Sequence, residues 1–365
     1  MTPEDKAKLA DALRRAMPVS RMVDYGMQVE DAGAAHDAIR EGGEWDQVLD
    51  DIAARDRCFA RDAEDRRDTV AAREHWHRAA AALIFAQMAF TFDTERKLVL
   101  HRKMVDCFSR FAEHATPPIR KLKVPFGAGA LHAWVFTSGK DHAGPAVIVF
   151  GGMSGWGTAY RTMAEALCAH GIACLLVDGP GQGESRLEDH SYLDAHVARG
   201  LSRFVDLAFE LSFGPRPIGI WGNSFGGLFA ALTAAADPRI GACCINGAPT
   251  RADPPPFRTA QEQMAAMFGR RDLGGLEQTF ELLSFHAQTA PVRCPVLIVE
   301  GGADPLVPLG SQRAFLNGNE SVGSAVFTWP DGEHTIYNHG AERNARIAKW
   351  FADRLTAPGH AAGKP

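Results

Sequence analysis

Pro217-Ile218-Gly219-Ile220-Trp221-Gly222-Asn223-Ser224-Phe225-Gly226-Gly227 is the stretch that decides the fold. An apolar run, Pro217 to Trp221, reads as a buried strand, and the Ala-rich run Phe225 to Ala235 reads as a helix. Between them the chain has the form G-x-S-x-G, and this strand-turn-helix context separates a working turn from a chance match. Ser224 sits where the backbone turns sharply, so bulky side chains two before and two after it would clash. The turn holds the Ser224 hydroxyl at the carboxyl end of the strand, against a helix N-terminus that favours developing negative charge. Ser224 is therefore the candidate nucleophile.

The same alternation continues on both sides. Two strands of a hairpin are read around LKVPFG and ALHAWVF, from about Ile119. Pro145 to Phe150 is a continuous apolar run of the kind buried on both sheet faces. A helix (Tyr160–His170), a strand (Ile172–Asp178) and a helix (Tyr192–Leu211) lead to the Ser224 unit. Strands follow at Ile240–Ile245, Leu297–Glu300 and Ala325–Trp329, with helices at Ser311–Phe315 and Arg343–Leu355. Alternating strands and helices predict an α/β fold with a doubly wound, mostly parallel sheet. Residues 249–292 hold no clear strand and are expected to form a cap insertion. Before this half, residues 1–117 are poor in Gly, Pro and β-branched runs and predict a helical domain. Its clearest helices are Trp45–Ala63, Thr69–Phe90 and Glu95–Ala115. The boundaries are thus 1–117 and 118–356, with a disordered tail at 357–365.

Composition narrows the partners. The 365 residues are 46% hydrophobic and 23% charged, ordinary globular values that exclude a disordered or fibrous chain. Lys+Arg 39 against Asp+Glu 44 gives a net charge of -5, which argues against nucleic acid as a partner. The N-terminus is charged and has no apolar core of signal-peptide length, and no run approaches membrane-spanning length. A cytoplasmic protein with no membrane partner is expected. The seven cysteines show no C-x-x-C spacing and read as buried free thiols. His75 and His77, two apart on a helix, do not share a face, so no metal site is expected there.

Ser224 needs a base able to take its proton near neutral pH, and that base needs a carboxylate to hold one tautomer. His334, in the loop after the Ala325–Trp329 strand, is the candidate base, with His339 the alternative. Asp304, just after the strand ending at Glu300, is the candidate acid. Glu300 ends the strand itself and is expected in a supporting role, while Asp331 and Glu333 lie too near His334 in sequence. Two backbone N–H groups should stabilise an oxyanion: Phe225, after the serine, and Met153, in the loop Phe150-Gly151-Gly152-Met153-Ser154. Gly152, Ser154 and Trp156 are candidate substrate-binding residues in the same loop. Asp178-Gly179-Pro180-Gly181-Gln182-Gly183-Glu184-Ser185 lacks phosphate-loop spacing and is expected to shape the sheet edge beside the pocket.

With these residues in place the chain resembles the α/β-hydrolase superfamily. Within it, the blocks FGGMSGWGTAY, VDGPGQGES and GIWGNSFGG and the helical N-terminal half resemble one group. That group contains the 2,6-dihydroxypseudooxynicotine hydrolases, the FrsA-like proteins and the fungal polyketide-shortening hydrolases. The resemblance implies cleavage of an ester, or of a carbon–carbon bond beside a ketone, on an aromatic or polyketide-like small molecule. It also implies a pocket between the helical domain and the sheet, and a homodimer. In the nicotine-pathway members an extra Glu stands in the loop after the early strand; here Ser154 stands at or near that place. The expected chemistry is an acyl-enzyme on Ser224, needing neither cofactor nor metal. An acyltransferase or cyclase using the same residues is the alternative, as is a regulatory binding protein of the FrsA-like kind.

Overall fold

The computed structural model describes residues 3–139, 144–211, 213, 218–253, 256–319, 321 and 323–356. The expected disordered tail, 357–365, lies outside them. The chain divides into two compact units, Met1–Ile119 and Arg120–Pro365.

The first unit is helical. It comprises α1 (Pro3–Ala16), α2 (Val19–Asp24), α3 (Val29–Arg40), α4 (Trp45–Asp65), α5 (Thr69–Met88) and α6 (Glu95–Glu113). The start of α5 is set by Asp68, whose carboxylate accepts the Ala71 N–H at 3.0 Å. Thr94 does the same for α6 through the Lys97 N–H at 3.2 Å. Every residue of α5 from Ala79 to Met88 is buried, so this stretch is covered all round rather than on one stripe. The sequence reading passed over α1 to α3. The caps of α2 and α3 make no side-chain hydrogen bond, which removes the usual start signal. His75 is bonded through Nδ1 to Asp56 at 2.8 Å, whereas His77 is buried with its ring against Phe111.

The second unit is built on one eight-stranded sheet. In chain order it runs β1 (Arg120–Phe126), β2 (Gly129–Phe136), β3 (Ala146–Phe150), α7 (Arg161–Cys168), β4 (Ala173–Asp178), α8 (Gly183–Leu187) and α9 (Val197–Glu210). There follow β5 (Ile218–Asn223), α10 (Phe225–Ala236), β6 (Ile240–Asn246), α11 (Arg258–Met267), α12 (Glu277–Leu282), β7 (Val296–Gly301), β8 (Ala325–Trp329) and α13 (Gly340–Leu355). The strand order is β1-β2-β4-β3-β5-β6-β7-β8; only the β1–β2 and β2–β4 pairs are antiparallel. β3 lies between β4 and β5, so the chain leaves it in one direction and returns on its other side. That reversal opens a crevice at the carboxyl ends of β3 and β5, where ligands of such sheets bind. Strands β3, β4, β5 and β7 are buried along their whole length, as a sheet covered on both faces requires.

Three local expectations change. The helix read from Tyr192 begins at Val197, because residues 192–196 form a loop whose Leu193 N–H bonds the Met267 carbonyl at 2.8 Å. The Gly-rich stretch after β4 contains α8, a helix too short to leave a periodic pattern. Ser311–Leu316 is a 3₁₀ turn rather than an α-helix. The insertion contains α11 and α12. Met264, Met267, Leu276, Phe280 and Phe285 from it join the same core as the sheet. The Phe285 N–H bonds the Thr250 carbonyl at 2.8 Å, which closes the base of the insertion.

Candidate active site

Ser224 has φ 57° and ψ -135°, a conformation that L-residues avoid and that costs on the order of 1–3 kcal/mol. The surrounding residues enforce it. A Cβ on Gly222 would meet the Gly226 carbonyl, and one on Gly226 would meet the Gly151 carbonyl. The Ser224 N–H bonds the Asn246 carbonyl at 2.7 Å, tying the turn to the end of β6. Phe150 pairs with Gly222, so the loop after β3 lies beside the turn. A Cβ on Gly152 would stand 2.8 Å from the Phe225 nitrogen. The Phe225 and Met153 N–H groups have no acceptor among the described residues. Both N–H groups are therefore unengaged, and Phe225 directly follows Ser224.

His334 Nε2 lies 2.8 Å from Ser224 Oγ, and His334 Nδ1 lies 2.9 Å from Asp304 Oδ2. A carboxylate can only accept, so Nδ1 carries the proton and donates it to Asp304. Nε2 then presents its lone pair to the Ser224 hydroxyl. The Asp304 side chain is almost fully buried, 2% exposed. Its other oxygen, Oδ1, accepts the Leu306 and Val307 N–H groups at 2.8 and 3.0 Å. One carboxylate thus holds its own loop and the imidazole together.

The rival acids have other tasks. Glu300, 1% exposed, accepts from Arg313 at 2.6 Å, Thr328 at 2.9 Å and the Gly310 N–H at 3.1 Å. Burial opposes its charge, but the Arg313 guanidinium and the Thr328 hydroxyl outweigh that and hold its carboxyl below the usual range. It braces the loop that carries Asp304. Asp331 pairs with His339 at 3.0 Å, which leaves His339 away from Ser224.

Two residues that the sequence reading did not single out organise the site. Asn223 donates to the Phe150 carbonyl at 3.1 Å and accepts from Trp221 Nε1 at 3.1 Å. Asn246 Nδ2 donates to Asn223 Oδ1 at 2.9 Å and to the Thr335 carbonyl at 3.1 Å. Arg343, fully buried, donates to the same Thr335 carbonyl at 2.8 Å. Thr335 and Ile336, directly after His334, both have left-handed backbone (φ 52° and 62°). Their signal was present: one asparagine ends each of two otherwise apolar strands, GIWGN and CCIN.

The loop residues named for substrate divide. Gly152 lies against the serine turn. Ser154 is half-buried. Trp156 is buried, with the Arg186 guanidinium over its ring at 5.2 Å. Asp178, at the end of β4, accepts the Gly157 and Glu184 N–H groups at 2.9 and 3.0 Å. Burial pushes its carboxyl above the usual range, and the neighbouring Glu184 adds to the effect. Of the cysteines, Cys58 is exposed and Cys168 half-buried, which corrects the expectation that all are buried. Burial pushes the Cys107, Cys168 and Cys294 thiols up to about 12. No three metal-binding side chains gather among the described residues.

Residues 135–350 match the family model described as "Alpha/beta hydrolase family". The chain belongs to the alpha/beta hydrolase family. It is 25% identical over 287 residues to the 2,6-dihydropseudooxynicotine hydrolase of Paenarthrobacter nicotinovorans, covering 76% of each chain. It is 32% identical over 261 residues to the esterase FrsA of Vibrio vulnificus, covering 65% of this chain but only 59% of that relative. The crystal structure of the 2,6-dihydroxy-pseudo-oxynicotine hydrolase superposes with a TM-score of 0.81 at 24% identity, covering 92% of this chain and 95% of the other. The AbyA5 structure superposes at 0.64, with 19% identity over 82% and 84%. Those two likenesses speak for the fold, helical N-terminal region included. The chain is an alpha/beta hydrolase enzyme, and the two curated relatives named above are a hydrolase and an esterase. Among the described residues no helix is long and apolar enough to cross a membrane.

Proposed function

We propose that this hydrolase uses Ser224, His334 and Asp304 as a catalytic triad and forms an acyl-enzyme on Ser224. Its substrate is an aromatic or polyketide-like small molecule, cleaved at an ester or at a carbon–carbon bond beside a ketone. The observation that carries the reading is the unbroken relay from Asp304 through His334 to Ser224, at 2.9 and 2.8 Å. His334 Nε2 takes the Ser224 proton as Oγ attacks the carbonyl carbon. The carbonyl oxygen becomes an oxyanion facing the Phe225 and Met153 N–H groups, and each such donor contributes about 10²- to 10³-fold. When the bond to the leaving group breaks, His334 returns the proton to an alkoxide, or to the carbon of a stabilised carbanion. Water, deprotonated by His334, then hydrolyses the acyl-enzyme.

The substrate class is supported by the 25% identical relative over 76% of both chains, which is named as a 2,6-dihydropseudooxynicotine hydrolase. Esterase action is supported by the FrsA relative. The test is product mass spectrometry on aryl esters and on acyl-phenol and β-diketone substrates, with wild type and Ser224→Ala. Carbon–carbon cleavage that vanishes with Ser224→Ala is the expected result. Ester cleavage alone assigns a carboxylesterase. Turnover that survives in Ser224→Ala refutes the triad.

A further inference from the structure

Gln182 is 1% exposed and has all of its side-chain polar atoms engaged. Its Nε2 donates to the Gly151 carbonyl at 2.5 Å and to the Gly152 carbonyl at 3.0 Å. Its Oε1 accepts the Gly179 N–H at 3.0 Å, which fixes which end of the amide faces the carbonyls. The two carbonyls belong to the loop after β3. A trans peptide is planar, with its C=O and N–H pointing in opposite directions. Holding the Gly152 carbonyl therefore fixes the direction of the Met153 N–H. That N–H has no acceptor among the described residues, and Gly152 lies against the Phe225 nitrogen beside Ser224. We propose that Gln182 is a positioning residue: by gripping the Gly152 carbonyl it keeps the Met153 N–H aimed at the oxyanion formed on Ser224.

The inference rests on the serine-hydrolase reading. It explains why an amide stands here. Two carbonyl oxygens need a donor, so a carboxylate of the same shape would repel both. It also gives a role to the DGPGQGES stretch that is distinct from phosphate binding. Asp178 accepts the Glu184 N–H, and a Cβ on Gly183 would strike the Asp178 carboxylate, so the turn is anchored from below. Gln182 is thereby held at a fixed height against the loop.

The experiment compares wild type, Gln182→Met and Gln182→Glu, with thermal melts to establish folding. A variant that fails to fold is replaced by Gln182→Asn, which keeps the amide but withdraws it by one methylene. Labelling of Ser224 by a fluorophosphonate comes first. Wild type that is not labelled at Ser224 overturns both the serine-hydrolase reading and this inference. With labelling in hand, kcat and KM on an aryl ester are measured beside the Ki of an aryl trifluoromethyl ketone, which forms an oxyanion adduct with serine. The expected result is a kcat lower by about 10- to 100-fold. KM should stay within about twofold, and the ketone Ki should weaken in parallel with kcat, in the order Gln, Met, Glu. The pH at which the His334 limb of kcat/KM falls should not move. Folded variants that keep both kcat and the ketone Ki within about threefold of wild type overturn the inference with the triad reading intact. So does a loss in which KM and the His334 limb shift along with kcat, since that is general damage to the site.

Discussion

Asn246→Leu tests whether the nucleophile and the base are held by one shared brace. Asn246 is fully buried, and its Nδ2 bonds Asn223 Oδ1 at 2.9 Å and the Thr335 carbonyl at 3.1 Å. Leucine has the same branched outline but is larger, and it donates to neither. Each acceptor retains one other donor, Trp221 Nε1 for Asn223 and Arg343 for Thr335. Neither is orphaned, so the loss per bond is near the ordinary net value of about 1 kcal/mol. Two lost bonds cost about 2 kcal/mol. Overpacking by the larger leucine adds about 1–3 kcal/mol, and removing Asn246 Oδ1, buried with no partner among the described residues, returns a similar amount. The net is a fall in melting temperature of about 4–8 °C for a unit of this size. The larger effect is on chemistry. With the Thr335 carbonyl held from one side only, the left-handed pair Thr335–Ile336 relaxes and carries His334 with it. A displacement near 1 Å in a reacting group costs about 10²-fold, and the retained Arg343 bond limits the shift, so a loss of about 10- to 100-fold is expected. The second-order rate of fluorophosphonate labelling of Ser224 reads this without knowledge of the substrate. Asn246→Asp should be worse than Asn246→Leu, because its oxygen would face two acceptors. Labelling within threefold of wild type in a folded Asn246→Leu protein refutes the brace.

Three further outcomes follow from particular residues. Ser224→Gly removes the only side chain forced into the turn's left-handed backbone; it should abolish turnover while raising the melting temperature by a few degrees, the relief of about 1–3 kcal/mol exceeding the entropy cost of glycine. Glu300 has its carboxyl held below its ordinary value by Arg313 and Thr328 against the cost of burial, so its stabilising contribution is complete above about pH 4.5 and is lost as pH falls through the lower folded value. Urea melts of wild type and Glu300→Gln should therefore differ at pH 7 and converge as the pH falls through the lowered folded value of Glu300; a gap that widens on acidification contradicts the assignment. Among the seven cysteines, Cys58 is exposed and the Cys174, Cys243 and Cys244 thiols are pushed well up by burial, so a disulfide reagent should titrate one thiol quickly in the native protein and seven in urea.

Much of this architecture was legible in the sequence because the relevant signals are local. A buried strand declares itself as an apolar run, and the serine turn declares itself by glycines that sterics requires at fixed offsets. The short loops after β7 and β8 bring Asp304 and His334 to the carboxyl edge without long-range inference. What escaped depends on contacts between segments far apart in the chain. Asn246 and Thr335 are 89 residues apart, and Gln182 and Gly151 are 31 apart. A buried asparagine or glutamine leaves no periodic trace, since its meaning lies in which carbonyl it reaches. Helices α2 and α3 escaped for the opposite reason: they lack side-chain caps, and α2 is too short for its period to be counted.

The backbone strain of the second unit has a pattern that bears on function. Its non-glycine residues with positive φ are His190, Ser224, Thr335 and Ile336 among the described residues. Three of these four belong to the relay or directly follow it: Ser224, and Thr335 and Ile336 after His334. Such conformations persist only where the surroundings over-determine them. At Ser224 the surroundings are the Gly151–Gly226 contact and the Asn246 carbonyl; at Thr335 they are the Asn246 amide and the Arg343 guanidinium. Asn246 appears in both sets, its backbone carbonyl on the serine turn and its side chain on the histidine loop. The end of β6 is thus the common anchor for two strained turns that meet at the 2.8 Å contact between Ser224 and His334. Strain at either turn is carried by the same residue. A substitution that relaxes one turn therefore alters the distance between nucleophile and base even when it touches neither side chain.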